Sequence, residues 1–225
     1  MAKKIPAKSI ESKIESKQQI SIPSPKMKTL IFKIRGTSQY VQERFDDKSL
    51  RQMREKQSQG SQVAVSKKRE PKDIQACYEG AMYRPDKGNW PNGAIPTTQI
   101  HGAMIGACRN LVIKMTEAKQ FFSILSDGVD AAGKPLIKIT KGTPEIFEQA
   151  LPNANGRCDL RYRPRWKEGW EAIVRIEYDA DMLSPESVAN LLMRAGIHSG
   201  IGAGRPSSKR CAGCGWGTFE LSQEY

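Results

Sequence analysis

Two alternating stretches, a capped helix and a glycine-rich turn follow one another from residue 157 onward, and together they limit the possible folds more than any other feature. Cys158, Leu160 and Tyr162 alternate with Arg157, Asp159, Arg161 and Arg163; Ala172, Val174, Ile176 and Tyr178 alternate with Ile173, Arg175 and Glu177. A period of two places one set on each face of a strand. Ser184-Pro185-Glu186-Ser187 then supplies an N-cap and a proline at the first helical position, and Val188, Leu191, Leu192 and Ala195 form an apolar stripe behind them. Gly196 is expected to end that helix. The run His198-Ser199-Gly200-Ile201-Gly202-Ala203-Gly204-Arg205-Pro206 leads into a last strand from Trp216 to Leu221.

A similar unit precedes it. Leu30, Phe32 and Ile34 alternate with Ile31, Lys33 and Arg35, which predicts a strand from Lys28 to Arg35 ended by Gly36-Thr37-Ser38. A polar helix is expected from about Asp46 to Gln57, with Phe45, Leu50 and Met53 on one side. The hydroxyls of Thr97 and Thr98 are placed to cap a second helix, in which Ile100, Ala103, Met104, Ala107 and Leu111 share a face. Phe121 to Leu125 and Leu136 to Ile139 read as strands joined by a turn-rich hairpin connection from Asp127 to Lys134. Strand, helix and strand, twice over, predict an α+β fold. It is an RRM-like or ferredoxin-like antiparallel sheet with helices on one face. Residues 1–26 read as a disordered basic arm, and 27–225 as one domain with a mobile insertion near 58–92.

Charge narrows the partners. The 225 residues carry a formal net charge of +12 and a pI near 9.5, which favours a polyanion and salt-sensitive association. The longest apolar stretch, Ala103 to Ile113, is interrupted by Arg109 and Asn110 and is too short to span a bilayer. No membrane partner is expected, and a cytoplasmic location, or a host cytoplasm, is the default. Five cysteines without a secretory leader read as thiols. Only Cys211 and Cys214 have metal-ligand spacing, and a second ligand pair for zinc is not evident.

The arginine row is the main binding candidate. Arg157, Arg161 and Arg163 share a strand face, Arg165 continues it, and Tyr162, Trp166 and Trp170 stand nearby. Guanidinium groups neutralise phosphates, and aromatic rings stack on bases for about 1–3 kcal/mol each. Gly200, Gly202 and Gly204 allow a close approach to main-chain N–H groups, and Arg205, Lys209 and Arg210 add charge. The loop follows a helix instead of opening one, so it fails as a dinucleotide fingerprint. Gly133-Lys134 lacks the flanking residues of a nucleotide-phosphate loop. No cofactor is expected. For catalysis, His198 at the entrance to the loop is the candidate acid or base, without an evident partner.

These motifs carry a resemblance. Ile95-Pro96-Thr97-Thr98-Gln99-Ile100-His101-Gly102-Ala103 resembles a conserved segment of the RAMP superfamily, the RRM-derived proteins that include backbone subunits of CRISPR effector complexes. Gly215-Trp216-Gly217-Thr218-Phe219-Glu220-Leu221 is similar to the ending of that superfamily's glycine-rich loop, with Thr218 where a basic residue is common. The chain also resembles small bacteriophage proteins of unassigned role from Met27 to Leu221. The resemblance implies an RRM-like core that binds single-stranded DNA or RNA through its sheet face and loops, and that assembles as a homo-oligomer or filament along the strand. The expected function is non-catalytic single-strand binding. The alternatives are a RAMP-like RNA endonuclease and a phage structural or host-interaction protein.

Overall fold

The structure, a computed structural model, describes residues 23–44, 47–58, 72–111, 113–152, 158–208 and 214–222. Its frame is built from β1 (Met27–Gly36), β4 (Phe122–Leu125), β9 (Glu171–Asp179) and β10 (Phe219–Leu221), which lie in the order β10-β1-β9-β4 with every pair antiparallel. Helix α3 (Thr97–Ala107) and the short α4 (Met115–Phe121) lie between β1 and β4 in the chain, and α5 (Pro185–Arg194) between β9 and β10. This is a ferredoxin-like βαββαβ arrangement, as the order of elements predicts.

Alternation decides which face of the sheet is covered. Ile34, Ala172, Val174, Ile176 and Tyr178 are buried, and Leu30 and Phe32 pack against them. Ile100, Ala103 and Met104 of α3 and Val188, Leu191 and Leu192 of α5 join the same core. Full burial of a side chain of this size contributes about 1.5–3 kcal/mol, so this layer dominates stability. The opposite face carries Ile31, exposed at 48%, and ion pairs such as Lys33 to Glu171 and Arg175 to Asp127.

Further short strands extend this frame. β6 (Pro135–Lys141) pairs with the first part of β9, β3 (Ala94–Pro96) pairs with β6, and β5 (Gly128–Val129) forms a short hairpin with β6. The predicted strands Phe121 to Leu125 and Leu136 to Ile139 thus exist, but each pairs with β9 and they do not form a hairpin together. A second sheet has the order β2-β8-β7, built from β2 (Tyr40–Val41), β7 (Glu145–Pro152) and β8 (Cys158–Trp166). Consecutive strands β8 and β9 therefore belong to different sheets. Trp166 and Trp170 sit at the junction, with Tyr40 packed 5.2 Å and 5.5 Å from their rings.

Helix α1 (Asp47–Ser58) forms where expected, yet Leu50 and Met53 remain exposed. Part of the predicted mobile insertion is folded: α2 (Ile74–Ala81) is capped by Asp73, whose side chain accepts from the Ala76 amide, and it buries Tyr78. Residues 59–71, like most of the predicted basic arm, lie outside the described residues. Ser184 caps α5 through the Ser187 amide, as predicted. Gly196 does not end that helix: Ala195–Ser199 continue as a π turn, and Gly200 closes it with φ 63°.

Candidate nucleic-acid interface

A cleft of about 370 Å³ lies where the glycine loop meets the start of α3. Its walls include Glu43, Thr98, Gln99, Gly102, Gly202 and Arg205. The start of α3 is open there: Pro96 occupies the cap position and, among the described residues, no side-chain cap hydrogen bond is made, so the predicted threonine capping is not seen. Uncapped first-turn amides and the positive end of the helix dipole favour negative charge.

The loop itself is rigidly tied. The Ile201 amide donates to the Gly217 carbonyl at 2.9 Å, Ala203 to Val41 at 2.9 Å, and Gly217 to Gln39 at 2.7 Å. A Cβ on Gly202 would fall 2.5 Å from the Val41 carbonyl oxygen, and one on Gly204 would fall 2.4 Å from the Trp216 ring. These glycines therefore permit the loop to pack on its own protein, which the expectation of a ligand-facing cradle did not foresee. Gly200 and Gly202 still line the cleft; Gly204 does not. Among the described residues, the Gly202 amide donates to no acceptor. Arg205 folds over the loop, Nη1 donating to the Gly202 carbonyl and Nε to Ser207 Oγ, which leaves the Ser207 hydroxyl proton available.

The arginine row is assembled, but with carboxylates in place. Glu43 accepts from Arg161 Nη1 and Arg163 Nη2, both at 2.6 Å. Glu145 pairs with Arg165 and, at 3.1 Å, with Lys167. Those two cations hold the Glu145 carboxyl below its ordinary range. Each carboxylate serves two cations. Arg163 is 4% exposed and is a buried structural ion, contrary to its expected role as a phosphate contact. Arg165 lies over the Phe147 ring at 4.7 Å, and Phe147 meets Trp216 edge-on at 5.7 Å.

The expected stacking residues are displaced. Trp166 and Trp170 are fully buried, their indole N–H groups donating to the carbonyls of Asn92 and Ser38. Neither ring can meet a base while the core is intact. Tyr162 stands on the strand face opposite the arginines, with Glu148 as its cross-strand partner. Phe147 and Trp216, both half-buried beside the loop, are the rings the structure brings to this side. Phe147 escaped sequence reading because Glu145–Pro152 lacks alternation, with Ile146 and Phe147 adjacent and a proline at the end.

Arg157, Lys209, Arg210 and Cys211 lie outside the described residues. Cys214 is an exposed thiol, and among the described residues no cluster of His, Cys, Asp or Glu is suited to a metal ion. His198 is exposed on the π turn and does not line the cleft. Among the described residues no helix is long and apolar enough to cross a membrane.

No protein-family model matches this chain, and no curated protein matches it. Chains of solved structures are similar to it. Among them is one in the cryo-EM structure of the Type III-B Cmr-beta bound to cognate target RNA, 11% identical to this chain, with a TM-score of 0.48. The match covers 88% of this chain and 60% of the other, so this chain spans about three-fifths of that chain's length.

Proposed function

We propose that the protein binds single-stranded nucleic acid, with the strand's phosphate backbone seated in the cleft between the glycine loop and the start of α3. The observation that carries this reading is the convergence there of N–H and O–H donors: the Gly202 amide, Arg205, the Ser207 hydroxyl and the uncapped first turn of α3. Phosphate oxygens only accept, and a net charge of +12 raises their local concentration. Arg161, Arg165 and Lys167 extend the basic surface beyond the cleft, with Phe147 and Trp216 as rings beside it.

A cleft of this volume holds roughly one nucleotide. Affinity for a long strand then depends on many copies bound side by side, and assembly as an oligomer along the strand belongs to this reading.

The test is binding of labelled oligothymidylate and oligouridylate across a salt series. Each neutralised phosphate should contribute about −0.7 to the slope of log affinity against log salt. Arg205→Ala should lower affinity about tenfold and flatten the slope by that amount. Salt-independent binding, or full affinity in the Arg205 variant, sinks the assignment. Absence of any mobility shift at low salt would favour the structural or host-interaction alternative.

A further inference from the structure

Behind the cleft runs a buried chain of polar side chains that the strand-binding role does not by itself require. Gln42 and Tyr40 are both fully buried. The Gln42 side chain is gripped by two backbone groups of opposite kind: its Oε1 accepts from the Tyr83 amide at 3.0 Å, and its Nε2 donates to the Ala94 carbonyl. A backbone N–H only donates and a backbone carbonyl only accepts, so the carboxamide has one possible orientation.

That orientation propagates outward. The second Nε2 hydrogen of Gln42 goes to Tyr40 Oη at 3.0 Å, and Tyr40 Oη lies 2.9 Å from Gln99 Oε1. With its oxygen accepting from Gln42, the Tyr40 hydroxyl must give its own proton to Gln99. Burial, against the opposing hydrogen bond from Gln42, holds this phenol far above its ordinary pKa, so the proton stays on it at any working pH. Gln99 thus turns its carbonyl inward. Its half-buried side chain lines the cleft, and the Nε2 amide is left to face it.

We infer that Gln99 is a specificity-determining residue of the cleft, held as an obligate donor to an acceptor atom of the bound phosphodiester, with Tyr40 and Gln42 as positioning residues. An unconstrained glutamine offers either end of its amide and so tolerates donors and acceptors alike. Here the relay removes that freedom. The site is therefore selective for acceptor-only groups, as phosphate oxygens are, and rejects a hydroxyl or amine presented as a donor at the same point.

The inference deepens the strand-binding reading and rests on it, so the experiment has two arms. In the first, labelled oligothymidylate is titrated into the wild type, Tyr40→Phe, Gln99→Ala, Gln99→Glu and the double variant Tyr40→Phe/Gln99→Ala. Tyr40→Phe and Gln99→Ala should each weaken binding about threefold to tenfold, and the double variant should be no weaker than Gln99→Ala, because Tyr40 acts only through Gln99. Gln99→Glu should weaken it further, since its second oxygen puts an acceptor and a charge towards the cleft. Fully additive losses, or an unaffected Gln99→Ala variant, overturn the inference. Should Tyr40→Phe fail to fold, the comparison of Gln99→Ala with Gln99→Glu still decides, because equal affinities deny a directed donor.

The second arm uses no nucleic acid. The Gln99 side-chain amide resonance of the wild type is followed by NMR during titration with inorganic phosphate. A saturable shift that Tyr40→Phe abolishes or weakens supports the inference even if oligonucleotides fail to bind, in which case only the strand-binding role falls. A resonance that phosphate does not move overturns the inference whatever the first arm shows.

Discussion

Trp166 shows how one residue type serves opposite readings. A tryptophan beside arginines reads as a base-stacking ring, yet here it closes the seam between two sheets and donates to the Asn92 carbonyl. Trp166→Ala should therefore cost about 3–5 kcal/mol of stability, measured as a lowered denaturation midpoint, and should not cause a selective loss of binding by the folded protein. Gly217 is the loop's counterpart. Its φ is 68° and a Cβ would fall 1.8 Å from the Ile201 carbonyl oxygen, so Gly217→Ala should unfasten the loop and lower both the melting temperature and strand affinity. Residue identity was legible at both positions. The inward or outward direction of Trp166 was not, because it depends on a second sheet that forms from residues far apart in the chain.

Among the elements, β7 most alters the expected chemistry. The basic strand β8 was expected to present bare guanidinium groups, but β7 and the segment after β2 bring Glu145 and Glu43 against it. Glu43 also lines the cleft, where its charge opposes a bound phosphate. Glu43→Gln should tighten oligonucleotide binding about threefold at low salt while lowering stability, since buried Arg163 loses a charged partner. Unchanged or weaker binding by anisotropy would place the strand elsewhere. β1, α5 and β9 were readable from periodicity and caps. The short β2 and the irregular β7 were not, since neither carries a repeating pattern to betray its partner.

For the molecule as a whole, acid stability follows from where titrating groups are held. Burial lowers the His101 pKa from its ordinary 6.5, reinforced by the Lys119 charge and partly offset by a hydrogen bond with the Phe122 backbone. The unfolded chain then binds a proton more readily than the folded one, so stability is full above pH 6.5 and declines as pH falls through the window below it. His101→Gln should remove this first decline from a pH series of melting temperatures. A second decline belongs below 4.5, where Glu145 and Glu171 lose their cations; for Glu171, burial opposes but does not overcome its hydrogen bonds with Lys33 and Lys141. Assembly is tested at this scale too. Long single strands coated with protein should appear as filaments by electron microscopy, and isolated particles on bare strands would remove the oligomer from the proposal.

Local pattern was enough to specify the antiparallel α+β frame, because alternation, a serine cap and a proline at the first helical turn act over a few neighbouring residues. The net basic charge was equally legible, since charge adds up without regard to fold. The cleft was not. Gln99 reads as one polar residue on a helix, and its proposed donor role arises from a relay in which Tyr83 orients Gln42, Gln42 orients Tyr40, and Tyr40 meets Gln99 across 59 positions of sequence. Hydrogen-bond direction and ion pairing depend on distances between atoms brought together by folding, and those distances leave no periodic trace along the chain.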